Sequence, residues 1–265
     1  VASDRSRDHI QSIERGIQVL RAFGGHNAVL RASAVAASVG LPRPVVRRIL
    51  LTFEHLGYAH SQDGLWSLTP RILELGAGYF GTSSLPEIAY PIMAEMVEKT
   101  SETCSVGVLD GTDVIHVARL EERRALPDAV RVGTRLPAHA TAVGKVMLAN
   151  LTDGALDDYF TVASLERFTS RTICEPALLR TRLDDVRSRG FDISIEELHP
   201  GMLAAAVPIV VDGSVIGGLT VSSTTDRASE LSLTDTVVPL LRDAAERIGR
   251  IYRIANPQLY RSVPA

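Results

Sequence analysis

Three observations predict an α+β fold in two parts. The first third of the chain is helical in period and basic, a short alternating stretch follows it, and the remainder switches repeatedly between period-two and helical segments. Tight-turn pairs at Asp63-Gly64, Asp110-Gly111 and Asp212-Gly213 separate successive strand-like runs, so the sheets are expected to be antiparallel rather than doubly wound and parallel.

At 265 residues the chain can form one large or two ordinary domains, and 45% hydrophobic against 22% charged residues is a globular composition. Cys104 and Cys174 are far apart and lie in no CxxC or Cys/His pattern. That argues against a disulfide framework or a structural zinc site and fits a reducing compartment. No apolar run approaches the roughly 20 residues that span a bilayer, and Val1 to His9 is polar, so the expectation is a cytoplasmic protein with no membrane partner. The net charge of −3 is unevenly placed: residues 1–85 hold nine arginines and no lysine against six acidic residues, and beyond them 19 basic residues face 25 acidic ones. Such a division suits a nucleic-acid module joined to a part that does not bind nucleic acid.

Ile10, Ile13, Ile17 and Leu20 recur at helical spacing over 10–23, and Gly24-Gly25 stops that helix. Residues 32–39 read as a short alanine-rich helix ended by Gly40. Over 41–57, Val46, Ile49, Leu50, Phe53 and Leu56 form one apolar stripe, while Arg43, Arg47 and Arg48 fall largely off it. Pro44 fits the first turn, where a missing N–H costs nothing, and Gly57 fits the position just past the end. Alone, this segment reads equally as a solvated surface helix. Two short helices joined by a tight glycine-containing turn, the second of them basic, are the sequence form of a helix-turn-helix. Residues 58–61 and 65–68 alternate around Asp63-Gly64 and read as a two-stranded wing. A wing makes Gln62, Asp63 and Trp66 candidates to approach the DNA backbone or minor groove; the plainer alternative is an exposed tip with Trp66 packed on the domain.

From Pro70, residues Ile72, Leu73, Leu75 and Tyr79 mark a connecting helix loosened by Gly76, Gly78 and Gly81, and the polar Thr82-Ser83-Ser84 marks a boundary. The expected parts are a winged helix-turn-helix DNA-binding domain over 1–69, a linker helix over 70–85, a second, α+β domain over 86–256 and a tail over 257–265. In the third part, 87–100, 141–151, 175–190 and 233–254 are predicted helices. Predicted strands run over 105–109, 114–117, 129–132, 191–195, 205–211 and 215–222.

These pieces together resemble the IclR family of bacterial transcriptional regulators over nearly the whole chain. The resemblance is carried by Gln11-Ser-Ile-Glu-Arg-Gly-Ile-Gln-Val-Leu20, Gly40-Leu-Pro-Arg-Pro-Val-Val-Arg-Arg-Ile-Leu50 and Leu56-Gly-Tyr58, then by Leu136-Pro-Ala-His-Ala-Thr-Ala-Val-Gly-Lys145, Glu196-Glu-Leu-His-Pro-Gly201 and Ala206-Val-Pro-Ile209. It implies an amino-terminal winged helix-turn-helix, a carboxy-terminal GAF-like effector domain, double-stranded operator DNA and a small organic acid as partners, and assembly as homodimer or homotetramer. The form of the first helix is most similar to the subgroup that controls aromatic-acid catabolism through the β-ketoadipate pathway. Two positions depart from the family pattern. Pro44 stands where a small residue able to donate a hydrogen bond is usual, and Leu203-Ala204 stands where many members have Arg followed by Cys or Ser.

The chemistry of the two expected sites follows. Arg is the side chain best matched to guanine O6/N7, and Arg43 and Arg47, four apart, share one helix face and are assigned to bases. Arg48, rotated about 100° further, is assigned with Arg5, Arg7 and Arg31 to the phosphate backbone. Ser33 and Gln62 complete the DNA-binding set. For the effector, the resemblance implies a pocket between sheet and helix that opens near Ala142 and Val143 and includes Ser194, Met202, Ala204, Thr220 and Ser222. Val143, Met202 and Ala204 make apolar walls, and the three hydroxyls can fix a polar head group. Glu196 is a further candidate for a ligand hydroxyl, and Arg131 or His139 for a carboxylate.

No cofactor is implied. Val143-Gly-Lys145 lacks the glycine five before Gly144 and the following Ser or Thr of a phosphate loop. His116, His139 and His199 with Cys104 carry no local nucleophile signature, and Glu196-Glu197 is an acidic pair without metal spacing. The competing classes are an enzyme with an accessory DNA-binding-like domain and an architectural DNA-binding protein without effector.

Overall fold

The computed structural model describes residues 9–24, 28–82, 85–121 and 130–259. The chain divides into two compact units, 1–82 and 83–265.

In the first unit, α1 (Gln11–Arg21), β1 (Val29–Arg31), α2 (Ala32–Val39), α3 (Arg43–His55), β2 (Ala59–Gln62) and β3 (Leu65–Leu68) are followed by a 3-10 turn over Pro70–Leu73 and by α4 (Glu74–Thr82). Gly40, at a φ of 65°, ends α2 in the left-handed region that a side chain resists. Pro44 lies in the first turn of α3, whose buried Val46 and Leu50 meet Val19, Val35, Ala59 and Trp66 in one core. The wing turns on Asp63 and Gly64, with φ of 53° and 75°. Its sheet has three strands in the order β1-β3-β2, because the short β1 pairs with β3 at Leu30 opposite Trp66. That central position buries Trp66, so it follows the plainer of its two readings. Ser61 N donates to Glu54 Oε1 at 3.1 Å and Thr69 Oγ1 to the Gly57 carbonyl at 2.6 Å, which ties the wing to the end of α3.

The second unit is built on a six-stranded antiparallel sheet in the order β6-β5-β4-β9-β8-β7. Its strands are β4 (Thr103–Asp110), β5 (Asp113–Leu120), β6 (Arg135–Pro137), β7 (Asp192–Ile195), β8 (Met202–Val211) and β9 (Ser214–Thr224). Its helices are α5 (Leu85–Thr100), α6 (Ala142–Ala149), α7 (Asp153–Val162), α8 (Pro176–Arg189), a turn α9 (Glu230–Ser232), a π segment over Leu233–Val237 and α10 (Val238–Ala255). One sheet face buries Val106, Ala118, Leu203, Ala205, Val207 and Val221 against α5 and α10. The other meets α6, whose Val143 and Val146 join a second core with α7 and α8. Alternation along each strand, with period two, is what serves both layers.

One sequence expectation changes and three elements are added. The strand expected over 129–132 is absent from 130–132, the part that is described: a turn closes there, with Arg131 N donating to Thr134 Oγ1 and Thr134 N to the Arg131 carbonyl, and the strand starts at Arg135. Helix α7 and strands β1 and β6 were not anticipated. Arg5 and Arg7 lie outside the described residues.

Candidate DNA interface and ligand cavity

On α3, Val46, Ile49, Leu50 and Phe53 of the apolar stripe face inward, while Leu56, just past the helix end, is exposed, as are Arg43, Arg47 and Arg48 off the stripe. None of the three makes an ion pair or side-chain hydrogen bond among the described residues, so their donors are free for a polyanion. Arg31 ends β1 opposite Leu65, and its Nη1 lies 3.9 Å from where a Cβ on Gly64 would sit, beside the wing tip. Ser33, in the first turn of α2, and Gln62, at the end of β2, are exposed.

The second unit holds a cavity of about 270 Å³ between the sheet and the start of α6. Thr141 caps that helix by accepting from Gly144 N at 3.1 Å, while Ala142 and Val143 begin it at the cavity wall. Gly144 sits so close to the preceding turn that a Cβ would stand 2.1 Å from the Ala138 carbonyl oxygen. The glycine in this Val-Gly-Lys stretch is therefore a packing requirement, unrelated to phosphate cradling. From the sheet come Met202 and Ala204 on β8, Thr220 and Ser222 on β9, and Ser194 on β7. Thr220 Oγ1 donates to the Ala205 carbonyl at 2.9 Å.

Glu196 is a correction: it does not line the cavity. Its φ of 55° turns the chain after β7, and its carboxylate is used elsewhere, Oε1 accepting from Gly201 N at 2.8 Å and Oε2 pairing with Arg171 Nε at 3.1 Å. His139 and Arg131 also stay out of the lining; His139 is fully buried with Nε2 at 3.0 Å from the Glu166 carbonyl.

In their place the fold brings three side chains that the sequence reading did not assign to the ligand. A β-bulge in β5, where Val106 faces Ala118 but Gly107 faces His116, makes Val117 an extra residue and returns His116 and Arg119 to the same face. Both line the cavity. His116 has no hydrogen-bond partner on either ring nitrogen among the described residues, and burial, aided by the Arg119 charge, pushes its pKa down to about 4, so its ring is neutral. Arg119 donates to Glu121 at 2.9 Å and to Ser105 Oγ at 3.2 Å. The third is Glu197, whose Oε1 receives the ammonium of fully buried Lys145. Lys145 also pairs with Asp192 at 3.2 Å, and Asp192 in turn with Arg182 at 2.7 Å. No group of three or more His, Cys, Asp or Glu among the described residues is placed to hold a metal ion.

A winged helix-turn-helix with free arginines on one unit and a cavity of small-molecule size on the other define a ligand-responsive DNA-binding regulator. Residues 12–63 match the IclR helix-turn-helix domain and residues 77–250 the C-terminal domain of the bacterial transcriptional regulator IclR. The chain belongs to the IclR family. It is 34% identical to the Pca operon regulatory protein of Acinetobacter baylyi over 252 residues, 93% of this chain and 91% of that one. It is also 34% identical to the p-hydroxybenzoate hydroxylase transcriptional activator of the same organism, over 93% of each chain. The crystal structure of an IclR homolog from Microbacterium hydrocarbonoxydans complexed with 4-hydroxybenzoate is similar at a TM-score of 0.79 and 25% identity, covering 92% of this chain and 99% of that one. These relatives carry the names of regulators, not of enzymes. No helix among the described residues is long and apolar enough to cross a membrane.

Proposed function

We propose that this regulator controls genes for the breakdown of an aromatic or other small organic acid and that the acid itself binds in the cavity beside α6. The observation that carries this reading is the cavity: about 270 Å³, at the small end for ligand pockets, with apolar walls from Val143, Leu136 and Met202 and polar groups that include Arg119, Ser194, Thr220 and Ser222. A ligand smaller than a typical drug, with an apolar body and a polar head, fits that description. The start of α6 supplies backbone N–H groups and a partial positive charge suited to a carboxylate, next to Ala142 and Val143. Ser194, Ala204, Thr220 and Ser222 complete its surroundings, and the relatives named for the Pca operon and p-hydroxybenzoate hydroxylase, with the 4-hydroxybenzoate complex, favour a ring acid.

On DNA, Arg43 and Arg47 read bases, while Arg48, Arg31, Arg5 and Arg7 hold phosphates, with Ser33 and Gln62 beside them. The chain works in the cytoplasm as a dimer or tetramer, which places two recognition helices on half-sites. The exposed Ile10, Ile13 and Ile17 along α1 provide an apolar face for a second copy. A ligand that binds two arrangements of the assembly unequally shifts their populations and so the fit to the operator. A thermal-shift panel of hydroxybenzoates, protocatechuate, β-ketoadipate and small oxo acids, followed by a gel shift of promoter DNA with the best ligand, tests the reading. Stabilisation by one of these acids, and altered promoter binding in its presence without turnover, is the expected result. Turnover of the acid, or promoter binding without any ligand effect, overturns it.

A further inference from the structure

We infer that Glu197, held in place by Lys145, accepts a hydrogen bond from a hydroxyl group of the effector, and that the cavity thereby selects a ring acid with one carboxylate and a hydroxyl over the bare acid or a dicarboxylate. This rests on the reading that the cavity holds a small organic acid.

Glu197 is the only carboxylate among the described residues of the lining. Its side chain is almost fully buried, and its two oxygens differ sharply: Oε1 is taken by the Lys145 ammonium, whereas Oε2 is buried with no hydrogen-bond partner among the described residues. A carboxylate oxygen has acceptor capacity only, so what completes it must be a donor. The residue is also fixed. Its backbone carbonyl accepts from Thr172 Oγ1 at 2.6 Å, and its carboxylate cannot swing away without abandoning a buried lysine. Three other polar side chains of the lining are already used within the protein, while neutral His116 and the Ser194 and Ser222 hydroxyls remain for the rest of the ligand and carry no charge to compete with Glu197 for a donor. Thr141 caps α6, Thr220 donates to the Ala205 carbonyl, and Arg119 is paired with Glu121.

Charge excludes the alternatives. Lys145 is shared by Asp192 and Glu197, and Arg182 by Asp192 and Asp185, so these two cations, facing three anions, have no positive charge left for a second ligand carboxylate. Such a group would meet the buried carboxylate of Glu197 as a like charge. An O–H donor meets it as a charge-assisted hydrogen bond and relieves an acceptor that burial had left without water. A bare ring leaves that oxygen unpaired. Hydrogen bonds to charged groups correspond to about 10- to 100-fold in affinity, the discrimination expected here.

Calorimetric titration of the full chain with benzoate, 3- and 4-hydroxybenzoate, 3,4-dihydroxybenzoate, the corresponding methyl ethers and adipate tests the inference. The wild-type protein is expected to bind at least one hydroxylated acid about 10-fold or more tighter than benzoate, its own ether and adipate. In Glu197→Gln, whose amide keeps an oxygen for Lys145 but can present an N–H to the ligand, that ratio should fall to within about 3-fold. Glu197→Asp, which withdraws the acceptor by one methylene, should lower it as well. A Gln variant that keeps the wild-type ratio, or a wild type that prefers benzoate or adipate, overturns the assignment. Should the variants not fold, the ultraviolet difference spectrum of the bound hydroxylated acid decides: a phenol donating to a carboxylate absorbs to the red of the ligand in water, and an unshifted or blue-shifted band rejects Glu197. Failure of the wild type to bind any ring acid at millimolar concentration would instead overturn the aromatic reading of the cavity and this inference with it.

Discussion

The two units handle charge in opposite ways. In the first, Arg43, Arg47 and Arg48 stand on the surface without partners among the described residues. In the second, Lys145, Asp192 and Glu197 are sealed inside and neutralise one another with Arg182. An exposed, unpaired guanidinium costs the fold little because water solvates it, and its attraction is kept for an external polyanion. A buried ion cluster has already exchanged water for internal partners, so it tolerates no loss of a member and responds only to a ligand of matching polarity. Changes in the first unit should therefore alter binding without altering stability, and changes in the second should do the reverse or both.

The strongest test is Lys145→Met. Removing the ammonium strands Asp192 and Glu197 in the interior and is expected to cost about 3–5 kcal/mol in the second unit's urea transition. Little change in that transition would mean the cluster is not the closed unit described. Next is acid sensitivity at His116. Its pKa of about 4 in the folded chain lies below the value near 6.5 expected when unfolded, so between those limits the unfolded chain takes up a proton that the folded chain refuses. Stability then falls as pH drops through this window, by up to about 3 kcal/mol from this group, and His116→Gln should flatten that part of the profile. Gly144→Ala should cost about 1–3 kcal/mol, since its methyl group collides with the Ala138 carbonyl, and denaturant midpoints would register it.

On the other side of the comparison, Arg47→Ala should leave melting unchanged while relaxing base preference at one operator position by about 1–3 kcal/mol, read from a randomised operator library. Arg48→Ala should produce the smallest signature, a slope of log affinity against log salt shallower by about one unit at unchanged sequence preference. A lowered melting temperature in either arginine variant would break the division between the units.

Much of the first unit was legible because its signals are local. The Val46, Ile49, Leu50 and Phe53 stripe needs only helical spacing, Gly40 and Asp63-Gly64 need only the left-handed backbone, and both follow from residue type at fixed offsets. Strand β1 escaped notice for the opposite reason. Three residues carry no period, and only pairing with β3, more than thirty positions along the chain, makes them a strand.

The candidate ligand site divides along the same line. Thr220 and Ser222 share a strand face by simple alternation, and the turn into α6 was visible in Thr141-Ala-Val-Gly-Lys145. Sequence by itself thus determined the helix-turn-helix, the antiparallel character of the second domain and the exposed arginines of α3, all consequences of spacing and side-chain type. Tertiary structure alone decided that Glu197 rather than Glu196 faces the cavity, because a positive φ at Glu196 turns its side chain to Gly201 and Arg171. It also decided that a bulge at Val117 delivers His116 and Arg119 to one face, and that Lys145 finds its partners about fifty residues away. Those choices depend on one backbone angle, one extra residue and one long-range charge pairing, none of which leaves a periodic mark in the chain.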